Sequence, residues 1–116
     1  MSPNKKLIET YLASRSNIPA LLTDDAEWVE WGDGVPASGV RTRGKAAFIQ
    51  NLGHPKLGSE VERMIEENNV VVAEGIVHVP KQEGGVMTFR FCDIFELENG
   101  KVKRLSSFAA QIKDSE

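Results

Sequence analysis

From Val70 to Ile112 the chain reads as strand and turn, and that stretch decides the fold class. Val70–Val79 and Val86–Leu97 are rich in β-branched and aromatic residues, with Lys81-Gln82-Glu83-Gly84-Gly85 between them. Glu98-Asn99-Gly100-Lys101 is a hairpin signal, because Asn and Gly accept the positive φ angles of a tight turn. Val102–Ile112 is then the last strand. Ser59–Glu67 fits either a helix, through Val61, Met64 and Ile65, or a long strand beside its neighbours. An antiparallel meander of this kind buries one face and needs a cover for it.

The N-terminal half supplies that cover. Ser2 and Pro3 form an N-cap and a first helical residue, and Leu7, Ile8, Tyr11 and Leu12 follow at helical spacing, so residues 3–14 read as an amphipathic helix. A second short helix is expected over Ile18–Leu22, a turn at Thr23-Asp24-Asp25 and a strand over Ala26–Trp31. Gly32–Thr42, with three glycines and a proline, reads as a loop. Gly44–Leu52 reads as a third helix with Phe48, Ile49 and Leu52 on one face, stopped by Gly53. Lys113–Glu116 reads as a frayed tail. The expected class is α+β: a curved, mostly antiparallel sheet with three helices on its concave face.

Size and composition narrow the chemistry. A chain of 116 residues makes one domain over 1–116, with room for one core or pocket and not for a separate cofactor domain. A net charge of -3 argues against an electrostatic nucleic-acid or membrane-surface binder. Cys92 is the single cysteine, so neither an intrachain disulfide nor a thiolate metal site is expected. His54 and His78 form no ligand spacing, and neither is given a role. There is no phosphate loop, dinucleotide fingerprint or nucleophile elbow, so no cofactor is expected. No apolar run approaches the ~20 residues of a membrane span, and no signal peptide is visible. The expectation is a soluble, reduced, cytoplasmic protein.

Three residues stand out as candidates for chemistry. Side chains alternate faces along a strand, which puts Met87, Phe89, Phe91, Asp93 and Phe95 together. Asp93 is therefore a carboxyl on an apolar face, where burial opposes ionisation. It is either a hydrogen-bonded structural acid or a functional acid. On Ala26–Trp31, Trp28 and Glu30 share a face, so a Trp28 that points inward sets Glu30 at the mouth of the same cavity; the plainer alternative is a solvated strand-end glutamate. Tyr11 lies on the apolar stripe of the first helix, as a core tyrosine or as a hydroxyl donor aimed into the cavity. Cys92 lies on the opposite strand face with Thr88, Arg90 and Ile94, as a packing residue. Arg41, Arg43 and Lys45 form a small basic cluster that reads as a solvated loop.

These motifs resemble the SnoaL-like and ketosteroid-isomerase-like branch of the cone-shaped nuclear transport factor 2-like fold. The resemblance spans nearly the whole chain. It is carried by Leu21-Leu22-Thr23-Asp24-Asp25-Ala26, by Gly39 to Arg43-Gly44-Lys45-Ala46-Ala47-Phe48-Ile49, and by Phe91-Cys92-Asp93-Ile94-Phe95-Glu96-Leu97-Glu98-Asn99-Gly100-Lys101-Val102. Ketosteroid isomerase is one of the standard cases of pKa-tuned catalysis, with an acidic base and an oxyanion hole of Tyr and protonated Asp. The resemblance assigns the tyrosine to Tyr11, the base to Glu30 and the oxyanion-hole acid to Asp93. Glu in place of Asp extends the base by one methylene, and proton transfer tolerates little misplacement. The aspartate-arginine-aspartate set of the limonene epoxide hydrolases would fall on Gly75, Val77 and Ser107, so that chemistry is not expected. No acid stands near Leu105–Ala110, where the SnoaL cyclases carry one.

The resemblance thus implies an enzyme that moves a proton next to a carbonyl. Glu30 would be the base, with Tyr11 and a neutral Asp93 as donors. Trp28, Phe89, Phe91, Phe95 and Ser107 would line a pocket for an apolar small molecule. The alternative is a ligand-binding or dimerisation module of the same fold without catalysis. By resemblance, a homodimer would form through the convex sheet face, which offers Val70, Val72, Ile76, Thr88, Cys92 and Ile94.

Overall fold

A computed structural model describes residues 2–52 and 58–113. Helix α1 spans Pro3–Ala13. The Ser2 hydroxyl accepts the Lys5 backbone N–H at 3.1 Å, satisfying one of the first-turn donors that a helix leaves unpaired. A 3-10 helix over Arg15–Leu21 follows, tied back by the Asn17 side-chain amide, which donates to the Thr10 carbonyl at 2.9 Å. Then come strand β1 (Leu22–Gly32), strand β2 (Val40–Arg43) and helix α2 (Lys45–Gln50). Strands β3 (Gly58–Glu67), β4 (Val70–Pro80), β5 (Val86–Glu98) and β6 (Lys101–Ile112) complete the chain.

The strands form one six-stranded sheet in the order β2-β1-β6-β5-β4-β3. Each neighbouring pair is antiparallel except β1 with β6, which run parallel. The β5–β6 turn is the expected one: Asn99 and Gly100 hold φ of 51° and 76°, both positive as a two-residue hairpin of this hand demands. Asn68 and Asn69 do the same between β3 and β4, with φ of 50° and 63°.

The core lies on the concave face. Ile8 and Tyr11 of α1, Ile18 of the 3-10 helix and Phe48 of α2 close over Val71, Ala73, Phe95, Leu97, Val102 and Leu105 of the sheet. Burying a side chain of Phe or Leu size contributes about 2 kcal/mol, so these contacts hold the cover to the sheet.

Three local expectations are corrected. The helix expected over Ile18–Leu22 is a 3-10 helix over Arg15–Leu21, so among the described residues two α-helices and one 3-10 helix cover the sheet. Thr23-Asp24-Asp25 is not a turn but part of β1; the register slips between Leu22 and Glu27, which absorbs these polar residues. Gly32–Thr42 is not loop throughout, because Val40–Thr42 belongs to edge strand β2 paired with β1. Ser59–Glu67, open between helix and strand in the sequence, lies in strand β3. Gly53 and His54 lie outside the described residues.

Candidate functional site

Residues directly opposite each other in a sheet share a face, so the register defines rows across it. One row on the concave face runs Glu30 (β1), Ser107 (β6), Asp93 (β5), Ala73 (β4). Glu30 and Asp93 are separated by two strand spacings, about 10 Å between backbones. The serine sits between the two acids.

Tyr11 reaches the row from α1. It is 5% exposed, with its ring edge-on to Phe95 at a centroid distance of 5.0 Å. Burial, and then the charge of Asp93, push its hydroxyl above the usual range for a phenol. Tyr11 therefore stays protonated and can act as a neutral donor. Asp93 is half-buried and interacts within the protein.

The β1 end of the row is built by α2. Trp28 faces inward against Phe48 of α2 at 5.0 Å, and its indole N–H donates to Ser107 Oγ at 3.0 Å. That bond takes a lone pair of Ser107 and leaves its own proton free to donate elsewhere. Glu30 is half-buried, and its Oε2 accepts the side-chain amide of Asn51 at 2.8 Å. The same amide nitrogen lies 3.4 Å from Thr42 Oγ1.

The aromatic residues of β5 divide by depth. Phe95 is fully buried and forms the floor under Tyr11. Phe91 lies opposite Gly75 and Ala109, and Phe89 opposite Val77 and Gln111. Gly75 is required: a Cβ there would come 1.8 Å from the Glu60 carbonyl oxygen, where β3 slips register over it. The sequence reading did not single out Asn51 or Thr42 as site residues. A polar residue at the end of a predicted helix with an acid elsewhere was the available signal, and it is a weak one.

The convex face carries a different row. Arg43, Glu27, Arg104 and Glu96 lie opposite one another across β2, β1, β6 and β5. Arg43 binds Glu27 at 2.9 Å, and Arg104 lies 3.8 Å from Glu27 and 3.6 Å from Glu96. Farther along that face Trp31 stacks on Phe108 at 6.5 Å, with Phe108 42% exposed. Val72 with Ile94, Glu74 with Cys92 and His78 with Thr88 are neighbours there, and His78 Nδ1 is 3.0 Å from Thr88 Oγ1. Burial, then the charges of Asp93 and Glu74, push the Cys92 thiol up, which disfavours its nucleophilic form.

A separate groove of about 490 Å³ lies between α1 and β3. Leu12, Val61 and Met64 line it, and two of its charged residues are paired, Glu62 with Arg90 and Arg63 with Glu74. It holds none of the concave row. Among the described residues no group of three His, Cys, Asp or Glu could hold a metal ion. Nor is any described helix long and apolar enough to cross a membrane.

A family model for the SnoaL-like domain matches residues 13–105. The chain belongs to the SnoaL-like domain family. Solved structures agree on the fold of this SnoaL-like domain. One is TerC, co-crystallised with polyporic acid, with a TM-score of 0.75, 24% identity, and 97% of this chain and 92% of that one covered. A provisionally named ketosteroid isomerase from Kribbella flavida aligns with a TM-score of 0.73 and 16% identity, over 98% and 81% of the two chains. A provisionally named SnoaL-like polyketide cyclase from Mesorhizobium loti gives 0.73 and 19%, over 92% and 98%. At these identities they establish the nuclear transport factor 2-like fold. No curated protein matches the sequence.

Proposed function

We propose that this SnoaL-like domain moves a proton α to a carbonyl of an apolar small molecule seated on the concave face. The observation that carries the reading is the row: a rim carboxylate, Glu30, and a second acid, Asp93, beside a phenol kept protonated by burial. Glu30 is the base, returning its proton elsewhere on the same face. Tyr11, and Asp93 in its neutral form, donate to the enolate oxygen, which stabilises charge as it develops. Trp28, Phe89, Phe91 and Ser107 line the ligand, and Phe95 supports Tyr11 from below. No cofactor is required by this chemistry. That TerC, a protein of the same fold, was co-crystallised with polyporic acid accords with a small organic ligand.

The test follows the absorbance of a β,γ-unsaturated ketone as it conjugates. Turnover by the wild type, lost in Glu30→Gln, is the expected result. Equal rates from the two would remove Glu30 as the base.

A second reading is favoured by the near-complete burial of Tyr11. In it Tyr11 and Asp93 are structural, and the domain binds an apolar ligand without turning it over. Ligand-induced stabilisation with no ketone turnover would select it.

The convex face supports a homodimer, since Phe108, Ile94 and Val72 leave apolar surface there beside the charged row. Phe108→Asp is expected to convert a dimer to monomers in sedimentation. An unchanged mass would overturn that contact. The ligand proposed on the concave face is a small molecule, not nucleic acid or membrane, and a reducing, cytoplasmic setting accords with one unpaired thiol.

A further inference from the structure

We infer that Asn51 is a positioning residue for Glu30, an inference that rests on reading Glu30 as the base. Asn51 caps the C-terminal end of α2, where its backbone N–H bonds the Ala47 carbonyl at 2.9 Å. Its side chain reaches back to β1. The amide nitrogen has two protons, and the structure offers each an acceptor: Glu30 Oε2 at 2.8 Å and Thr42 Oγ1 at 3.4 Å. The amide cannot rotate by half a turn without setting its oxygen against a carboxylate. Its orientation is therefore fixed by both neighbours.

The consequence for Glu30 is specific. A glutamate on a half-exposed rim has one more rotatable bond than an aspartate and would sweep a wider arc. Asn51 holds Oε2, which leaves Oε1 as the atom that takes the substrate proton. An amide suits this role because it carries no titratable proton to compete. The clamp is also tied to the rest of the row. Phe48 docks α2 on Trp28, and Trp28 is bonded to Ser107. The base is thus referenced to the strand beside Asp93 and not to a loose loop, as a reaction sensitive to small misplacement needs.

The experiment compares the full chain with Asn51→Ala and Asn51→Asp, using the β,γ-unsaturated ketone as probe. Side-chain order at the Glu30 Cγ methylene is measured by ¹³C relaxation in the same proteins. Asn51→Ala is expected to lower kcat about tenfold with KM within about twofold. Asn51→Asp keeps the shape of the side chain but opposes two carboxylates, so it is expected to lose more at neutral pH. The methylene becomes more mobile in both. A role confined to ending α2 predicts an Asn51→Asp protein close to wild type in every reading. Unchanged kcat in both variants of an active enzyme, or an unchanged methylene, overturns the inference. If wild type and Glu30→Gln do not differ, the base assignment fails by itself, and the methylene measurement alone decides the clamp.

Discussion

The two faces of the sheet treat the same chemical group in opposite ways. On β1, Glu27 and Glu30 are three residues apart on opposite faces, and on β5 so are Glu96 and Asp93. The convex acids sit in a row with Arg43 and Arg104. The concave acids sit in a row with Ser107, under a buried phenol and beside an amide. Guanidinium partners satisfy the lone pairs of a carboxylate, which suits a solvated surface. On the concave face the neutral Asn51 amide orients Glu30 without cancelling its charge, while Asp93 stands beside Tyr11 as a second acid. The contrast separates structural acids from candidate functional ones more sharply than exposure does.

The widest gap between the faces is expected in turnover. Glu30→Gln should lower ketone isomerisation by about 10²–10⁴-fold, the usual worth of a general base, while Glu27→Gln stays within about twofold. A comparable loss from Glu27→Gln in steady-state assays would erase the distinction. A smaller effect concerns pH. The Tyr11 hydroxyl is pushed above its ordinary value near 10 in the folded state, so above that pH the unfolded chain releases a proton that the folded one keeps. Its stabilising contribution is full below about pH 10 and declines as pH rises further. Tyr11→Phe should flatten that alkaline decline in urea unfolding curves, and an unaltered slope would mean the phenol is not held as described. The least is expected on the convex face. A double-mutant cycle on Glu27 and Arg104 should give a coupling of at most about 1 kcal/mol, shrinking in high salt. A larger, salt-independent value would make that row a structural keystone.

How far the sequence could be read followed the range of the forces involved. Turn chemistry is local, so Asn99-Gly100 announced its hairpin. Alternation along β5 is local too, and it set Asp93 beside Phe91 and Phe95 on one face. Strand β2 was invisible because Val40–Arg43 is short and mostly polar; its partner β1, and not its own pattern, makes it a strand. Thr23-Asp24-Asp25 carries turn residues, yet sheet pairing on either side overrides them with a register slip. In the site, the shared face of Trp28 and Glu30 followed from β-strand parity, but not which way that face turns. Asn51 did not, because its contact with Glu30 depends on how α2 lies across β1. The Trp31–Phe108 stack depends in the same way on the parallel β1–β6 pairing, which no short window reveals.

That parallel pairing also sets how far apart in the chain the parts of the candidate site lie. β1 can find β2 early, since they are close in sequence, but its other neighbour is β6, and the Trp28–Ser107 bond joins residues 79 apart. Closing so long a loop carries a larger entropic cost than closing a hairpin. Asp93 and Ser107 are joined through neighbouring strands of the β3–β6 meander, while Glu30 belongs to the β1–β2 pair. The two acids become part of one row only when β1 docks on β6, so assembly of the candidate site reports completion of the fold.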